Sequence, residues 1–121
     1  MHSKLVPIVV AGMLTWTGGR AQGDPFAPMK GDLRRMVSAN EVFHAKNKRY
    51  ASATSDLPGY KATAGVTIVI SGASATGWAA TAVTASIPGK SCVIFVGSVP
   101  SPPKTAGAAL TGPEAVPVCD H

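Results

Sequence analysis

The sequence predicts an α+β domain: one N-terminal helix packed on an antiparallel sheet of three to four strands, closed by a disulfide-bounded C-terminal loop. Three observations carry this expectation. Apolar residues recur at helical spacing between positions 31 and 48. Three short strand-like runs follow between positions 66 and 96, and Cys92 and Cys119 bracket a tail rich in Pro, Gly and Ala. A chain of 121 residues has room for one domain and one modest core.

Residues 1–21 carry the three parts of an export signal: a basic start at His2 and Lys4, an apolar stretch from Leu5 to Leu14, and small residues near Ala21. The apolar stretch is too short for a bilayer, which requires about 20 such residues, and Pro7 interrupts it. Cleavage after Ala21 is the expected outcome, with an uncleaved tether as the alternative. Residues 22–30, with Gly23, Pro25 and Pro28, read as a linker. The globular domain is then expected over 31–121.

Leu33, Met36, Val37, Asn40, Phe43 and Asn47 fall at intervals of three and four, which puts a mostly apolar stripe along a helix from about Gly31 to Lys48. Leu33, Met36, Val37 and Phe43 are its expected core residues. Arg34, Arg35, Glu41, Lys46 and Lys48 lie largely off the stripe, and the basic residues near the end suit the helix macrodipole. Tyr50 to Gly65 shows no sustained period and reads as a long loop pinned by Tyr50, Leu57 and Tyr60.

Val66 to Ser71 alternates with Val66, Ile68 and Ile70 on one face, and its β-branched content supports a strand. Trp78 to Ile87 forms the second strand, whose small residues leave space for a helix to approach. Pro88-Gly89 suits a type II turn, because Pro sets a negative φ and Gly accepts the positive φ after it. Ser91 to Val96 is the third strand. Beyond Gly97 the composition alone would suit disorder. A bond between Cys92 and Cys119, the default for an even cysteine pair in an exported chain, instead ties the far end of that segment to the sheet.

No constellation for catalysis emerges. His44 has no nucleophile motif to serve, His2 and His121 are terminal, and the carboxylates are dispersed. Two cysteines without an ordered His partner do not complete a metal shell, so neither metal nor cofactor is expected. The net charge is +5, but with Lys4 and Arg20 in the export segment, nine Lys/Arg face six Asp/Glu in the remainder. Lys46, Lys48, Arg49 and Lys61, beside Tyr50 and Tyr60, form a candidate polyanion patch with aromatic platforms. Trp78, at a strand start, reads as core before it reads as a ligand-stacking residue.

The order of these pieces resembles a known family. The helix carrying Met36 to Asn47, the Tyr50-Ala51 pair, Leu57, the Gly77-Trp78 strand start, Gly89-Lys90-Ser91-Cys92 and the terminal Val118-Cys119-Asp120 look like the head domain of bacterial type IV pilins and type II secretion pseudopilins. The resemblance implies that the helix is the C-terminal half of a pilin spine, that the sheet packs across it, and that Cys92 and Cys119 bound a surface loop. It also exposes departures: there is no prepilin cleavage site and no long apolar polymerisation helix. What it implies is a periplasmic or extracellular, non-enzymatic structural or interaction module. Its partner would be a pilus or secretion component, a cell-surface partner or another copy of itself, with no membrane span once the signal is removed. The alternative is a secreted polyanion (DNA) reader using the basic patch.

Overall fold

The computed structural model describes residues 23–121, and the expected signal segment 1–21 lies outside the described residues. One helix, α1 (Ala27–Asn47), packs on a four-stranded antiparallel sheet formed by β1 (Val66–Ser71), β2 (Gly77–Thr84), β3 (Cys92–Gly97) and β4 (Val118–Cys119). The strands lie in the order of the sequence, β1-β2-β3-β4.

The helix starts earlier than its periodicity suggests, so the linker expected over 22–30 is helical from Ala27 onward. Pro28 does not prevent this. It sits in the first turn, where the missing N–H would have no helical partner and the fixed φ suits the helix. Asp24 completes the start: its Oδ1 accepts the Phe26 N–H at 2.8 Å, and its Oδ2 pairs with Lys30 at 2.7 Å. At the other end Lys48 turns left-handed (φ 62°) and returns its N–H to the His44 carbonyl, which stops the helix.

The expected stripe is partly correct. Leu33 and Met36 are fully buried, as is Asn40, whereas Val37 and Phe43 pack against the core while remaining partly exposed, and Asn47 is exposed. Met29 and Asp32, both outside the expected stripe, are buried as deeply. The extra N-terminal turn explains Met29, which extends the Leu33–Met36 face by one more turn, whereas Asp32 is buried where Thr63 bonds to it.

Sheet register sets the opposing half of the core. Ile68 pairs with Ala82, and Ala82 with Cys92; Ile70 pairs with Ala80, and Ala80 with Ile94; Trp78 pairs with Val96. Directly opposed residues share a face, so these side chains meet α1 together. The small residues Ala80, Ala82 and Cys92 of the central strands leave the depth that Leu33, Met36 and Trp78 fill. Strand β2 ends at Thr84 rather than Ile87, and the Ile87–Lys90 turn contains Gly89 at φ +82°, as Pro88-Gly89 implied. At the far end of the ladder Gly77 faces Gly97, and a Cβ on either would overlap the backbone of Ser98 or Thr76.

Cys92 and Cys119 are directly opposed in the β3–β4 ladder and are joined as a disulfide. Neighbouring main chain extends this attachment: the Ala115 N–H donates to Phe95 at 2.8 Å, and the Asp120 N–H to Ser91 at 3.0 Å. The tail is therefore an ordered segment along the β3 side of the sheet.

Candidate functional site

The helix leaves one apolar strip uncovered. Ala39, Val42 and Phe43 on α1, with Leu57 and Pro58 from the following loop, line a groove of about 410 Å³, and Lys46 and Asp56 stand at its rim. Val42 is 59% exposed, although it lies in the middle of a helix. Phe43 forms one wall, with the Arg49 guanidinium over its ring at 5.1 Å. Leu57 is buried and fixes the loop wall, which follows a short 3₁₀ turn at Thr54–Asp56. Periodicity alone conceals this groove, because Val42 falls outside the stripe that the helix pattern identifies.

The four candidate polyanion residues do not form one patch. Lys46, Lys48 and Arg49 are exposed at the C-terminal end of α1. Lys61 belongs to the other half: its carbonyl accepts from Arg35 at 3.0 Å, and its neighbour Tyr60 donates to the Asp32 carbonyl at 2.7 Å. Arg35 and Lys46 are about 16 Å apart along the helix axis. The two tyrosines are separated as well. Tyr50 stacks on His44 (centroids 4.3 Å) and donates to Glu41 at 3.2 Å, while the Arg35 guanidinium lies 5.5 Å from the centre of the Tyr60 ring. Burial, followed by the nearby Asp32 carboxylate, pushes the Tyr60 phenol up to about 12.

Two buried carboxylates organise the loops. Asp32 accepts from the Thr63 N–H at 2.8 Å, the Thr63 hydroxyl at 2.9 Å and Arg35, which fastens the segment before β1 to the helix. Asp120 accepts from the Ser91 N–H at 2.7 Å, the Gly107 N–H at 3.0 Å and the Ala108 N–H at 2.6 Å. Burial by itself would raise the Asp120 carboxyl, but hydrogen bonds from the Thr105 side chain and from the Gly107, Ser91 and Ala108 N–H groups outweigh it and hold the group well below the usual carboxylate range. Gly107 permits the approach, since a Cβ there would stand 3.2 Å from the Asp120 carboxyl. Neither carboxylate was legible as a structural anchor from the sequence, because their donors are distant main-chain groups.

His44 uses its Nε2 on the Ala75 carbonyl at 2.9 Å, so it joins the helix to the β1–β2 turn. Trp78 is fully buried in the core and presents no face to a ligand. Among the described residues, no group of three or more His, Cys, Asp or Glu is arranged to hold a metal ion, and no helix is long and apolar enough to cross a membrane. In comparisons with known proteins, no family model matches the chain and neither does any curated protein.

Proposed function

We propose that this protein is an exported, non-enzymatic module of pilin-head type that works by contact, engaging a pilus or secretion assembly or a cell-surface partner through the C-terminal half of α1. The observation that carries the reading is the uncovered groove at Ala39, Val42, Phe43, Leu57 and Pro58, on a helix whose opposite face is committed to the sheet. An apolar strip of this kind accepts the apolar face of a partner helix. The Cys92–Cys119 bond supports a periplasmic or extracellular location, because such bonds persist in oxidising compartments. The fold supports the resemblance in outline: one helix, a sequential antiparallel meander and a disulfide at the base of the C-terminal segment.

The test is a photo-crosslinking residue at Val42, introduced in the native source, followed by mass spectrometry of the mature chain and its adducts. Adducts with filament or secretion components on a chain beginning near Gln22 are expected. A full-length cytoplasmic chain, or adducts that contain no such component, would overturn the reading. The DNA-binding alternative has less support, since Lys61 is apart from Lys46, Lys48 and Arg49.

A further inference from the structure

Arg49 stands beside the apolar groove with its charge unpaired. Its guanidinium lies 5.1 Å from the centre of the Phe43 ring, and Phe43 is a wall of the groove. Stacking on a ring leaves the edge of the planar fork open to a carboxylate. Among the described residues the ion pairs are Lys30–Asp24 and Arg35–Asp32, so neither Arg49 nor Lys46, on the same helix rim, has a carboxylate partner. The nearby acidic groups do not fill that role. Glu41 is held by the Tyr50 hydroxyl at 3.2 Å, and Asp56 stands on the loop rim. The helix rim is thus cationic and the loop rim anionic. An apolar occupant with a carboxylate beside its apolar face is drawn to the helix rim, and Asp56 keeps that carboxylate off the loop side.

The shape of the groove narrows the occupant further. Ala39, Val42, Phe43, Lys46 and Asn47 recur at intervals of three and four, so the groove follows α1 for two turns, about 12 Å. Ala39 is small enough to let another backbone approach. A straight trough of this kind accepts the ridge of a second helix. Charge then decides which helix. Residues 1–22 of this chain include an apolar stretch but no Asp or Glu, so they bring no carboxylate to Arg49 and Lys46. A second copy of α1 brings Asp32, which is buried and bound to Thr63, and Glu41, which Tyr50 already holds. A nucleic acid backbone supplies anions but no apolar ridge to cover Val42, which is exposed at the groove.

We infer that the groove receives an amphipathic helix of a different protein, whose apolar stripe covers Val42 and Phe43 and whose acidic side chains beside that stripe pair with Arg49 and Lys46. This rests on the contact reading proposed above and adds to it the chemistry of the partner.

Three labelled helical peptides test this by fluorescence anisotropy on the oxidised chain expressed in its native source. Each carries Leu at i, i+3, i+4 and i+7 and differs only in the residues flanking that stripe, which are Glu, Gln or Lys. The Glu peptide should bind about tenfold more tightly than the Lys peptide at low salt, with Gln between them, and the gap should shrink as salt rises. Arg49→Gln and Lys46→Gln should each weaken the Glu peptide by about threefold and leave the Gln peptide unchanged. Asp56→Asn should strengthen the Glu peptide, and Val42→Glu should remove binding of both the Glu and Gln peptides. Equal affinity for the Glu and Lys peptides, or no binding of any peptide, overturns the inference. So does a loss in Arg49→Gln and Lys46→Gln that the Gln peptide shares. Competition by a peptide of residues 1–21 as strong as that of the Glu peptide overturns it in favour of this chain's own segment. A wild-type dimer in sedimentation that Val42→Glu abolishes overturns it in favour of a second copy. The two failures separate: a Glu preference without Val42 crosslinks to a filament or secretion component sinks the proposed partner and leaves the acidic helix standing, and such crosslinks without a Glu preference do the reverse. Denaturant melts check the folding of each variant, and the wild-type ranking of the three peptides decides alone if a variant fails to fold.

Discussion

Replacing Asp120 by Ala should detach the C-terminal loop and weaken the whole domain. The Ser91 N–H that Asp120 accepts is buried, and an orphaned buried donor costs about 1–3 kcal/mol. The Gly107 and Ala108 N–H groups are only part-buried, so water replaces the lost acceptor and each costs about 0.5–1.5 kcal/mol. Together these make about 2–6 kcal/mol for Asp120→Ala. Asp120→Asn retains one acceptor oxygen and should lose about 1–3 kcal/mol. Chemical denaturation at neutral pH measures both differences, and amide exchange at Gly107 and Ala108 shows whether the loop opens first.

Acid provides a second arm of the same experiment. The folded Asp120 carboxyl lies below its unfolded value of about 3.9, so its contribution is complete above that pH. As pH falls below it, the unfolded chain binds a proton that the folded chain still excludes, and the contribution is lost toward the folded pKa. The gap between wild type and Asp120→Ala should therefore be widest near neutrality and narrow in acid. An alanine variant within about 0.5 kcal/mol of wild type at neutral pH, the range of an ordinary surface substitution, would refute this account of the loop.

Three further outcomes are expected. Cys92→Ser should cost about 2–5 kcal/mol, the usual loss for a small domain deprived of its bridge, and thiol labelling of the denatured, unreduced wild type should find no free cysteine. Leu33→Ala, at a fully buried position, should cost about 2–5 kcal/mol by denaturant melt. Phe43→Ala should cost less than the about 3–5 kcal/mol of a fully buried aromatic, because Phe43 is partly exposed at the groove, and Arg34→Ala should stay within about 0.5 kcal/mol. Any retention of single-stranded DNA should fall steeply with salt, and Lys48→Ala with Arg49→Ala should flatten the slope whereas Lys61→Ala should not, given its separate position.

Local periodicity was enough for the elements and their faces. Leu33 and Met36 could be placed on one side of a helix, and Ile68 and Ile70 on one side of a strand, because the repeats of 3.6 and 2 are properties of the backbone itself. The turn at Pro88-Gly89 was legible for the same reason, since its φ angles depend on the residues that occupy it. The cysteine pair was legible as an even pair in a chain expected to be exported, and the β3–β4 register shows why it closes: the two residues are directly opposed. Features that depend on distant chain segments were decided only by the tertiary structure. Asp32 and Asp120 became loop anchors because Thr63, Gly107 and Ala108 bring their N–H groups to them, and no short-range pattern records such donors. Lys61 left the proposed basic patch because Arg35 and Asp32 hold its segment beside the N-terminal half of α1. Val42 became the centre of a groove because the loop carrying Leu57 and Pro58 folds beside it. A side chain's period is set by its own backbone, but its partners are set by which remote segment the packed chain brings within hydrogen-bond reach.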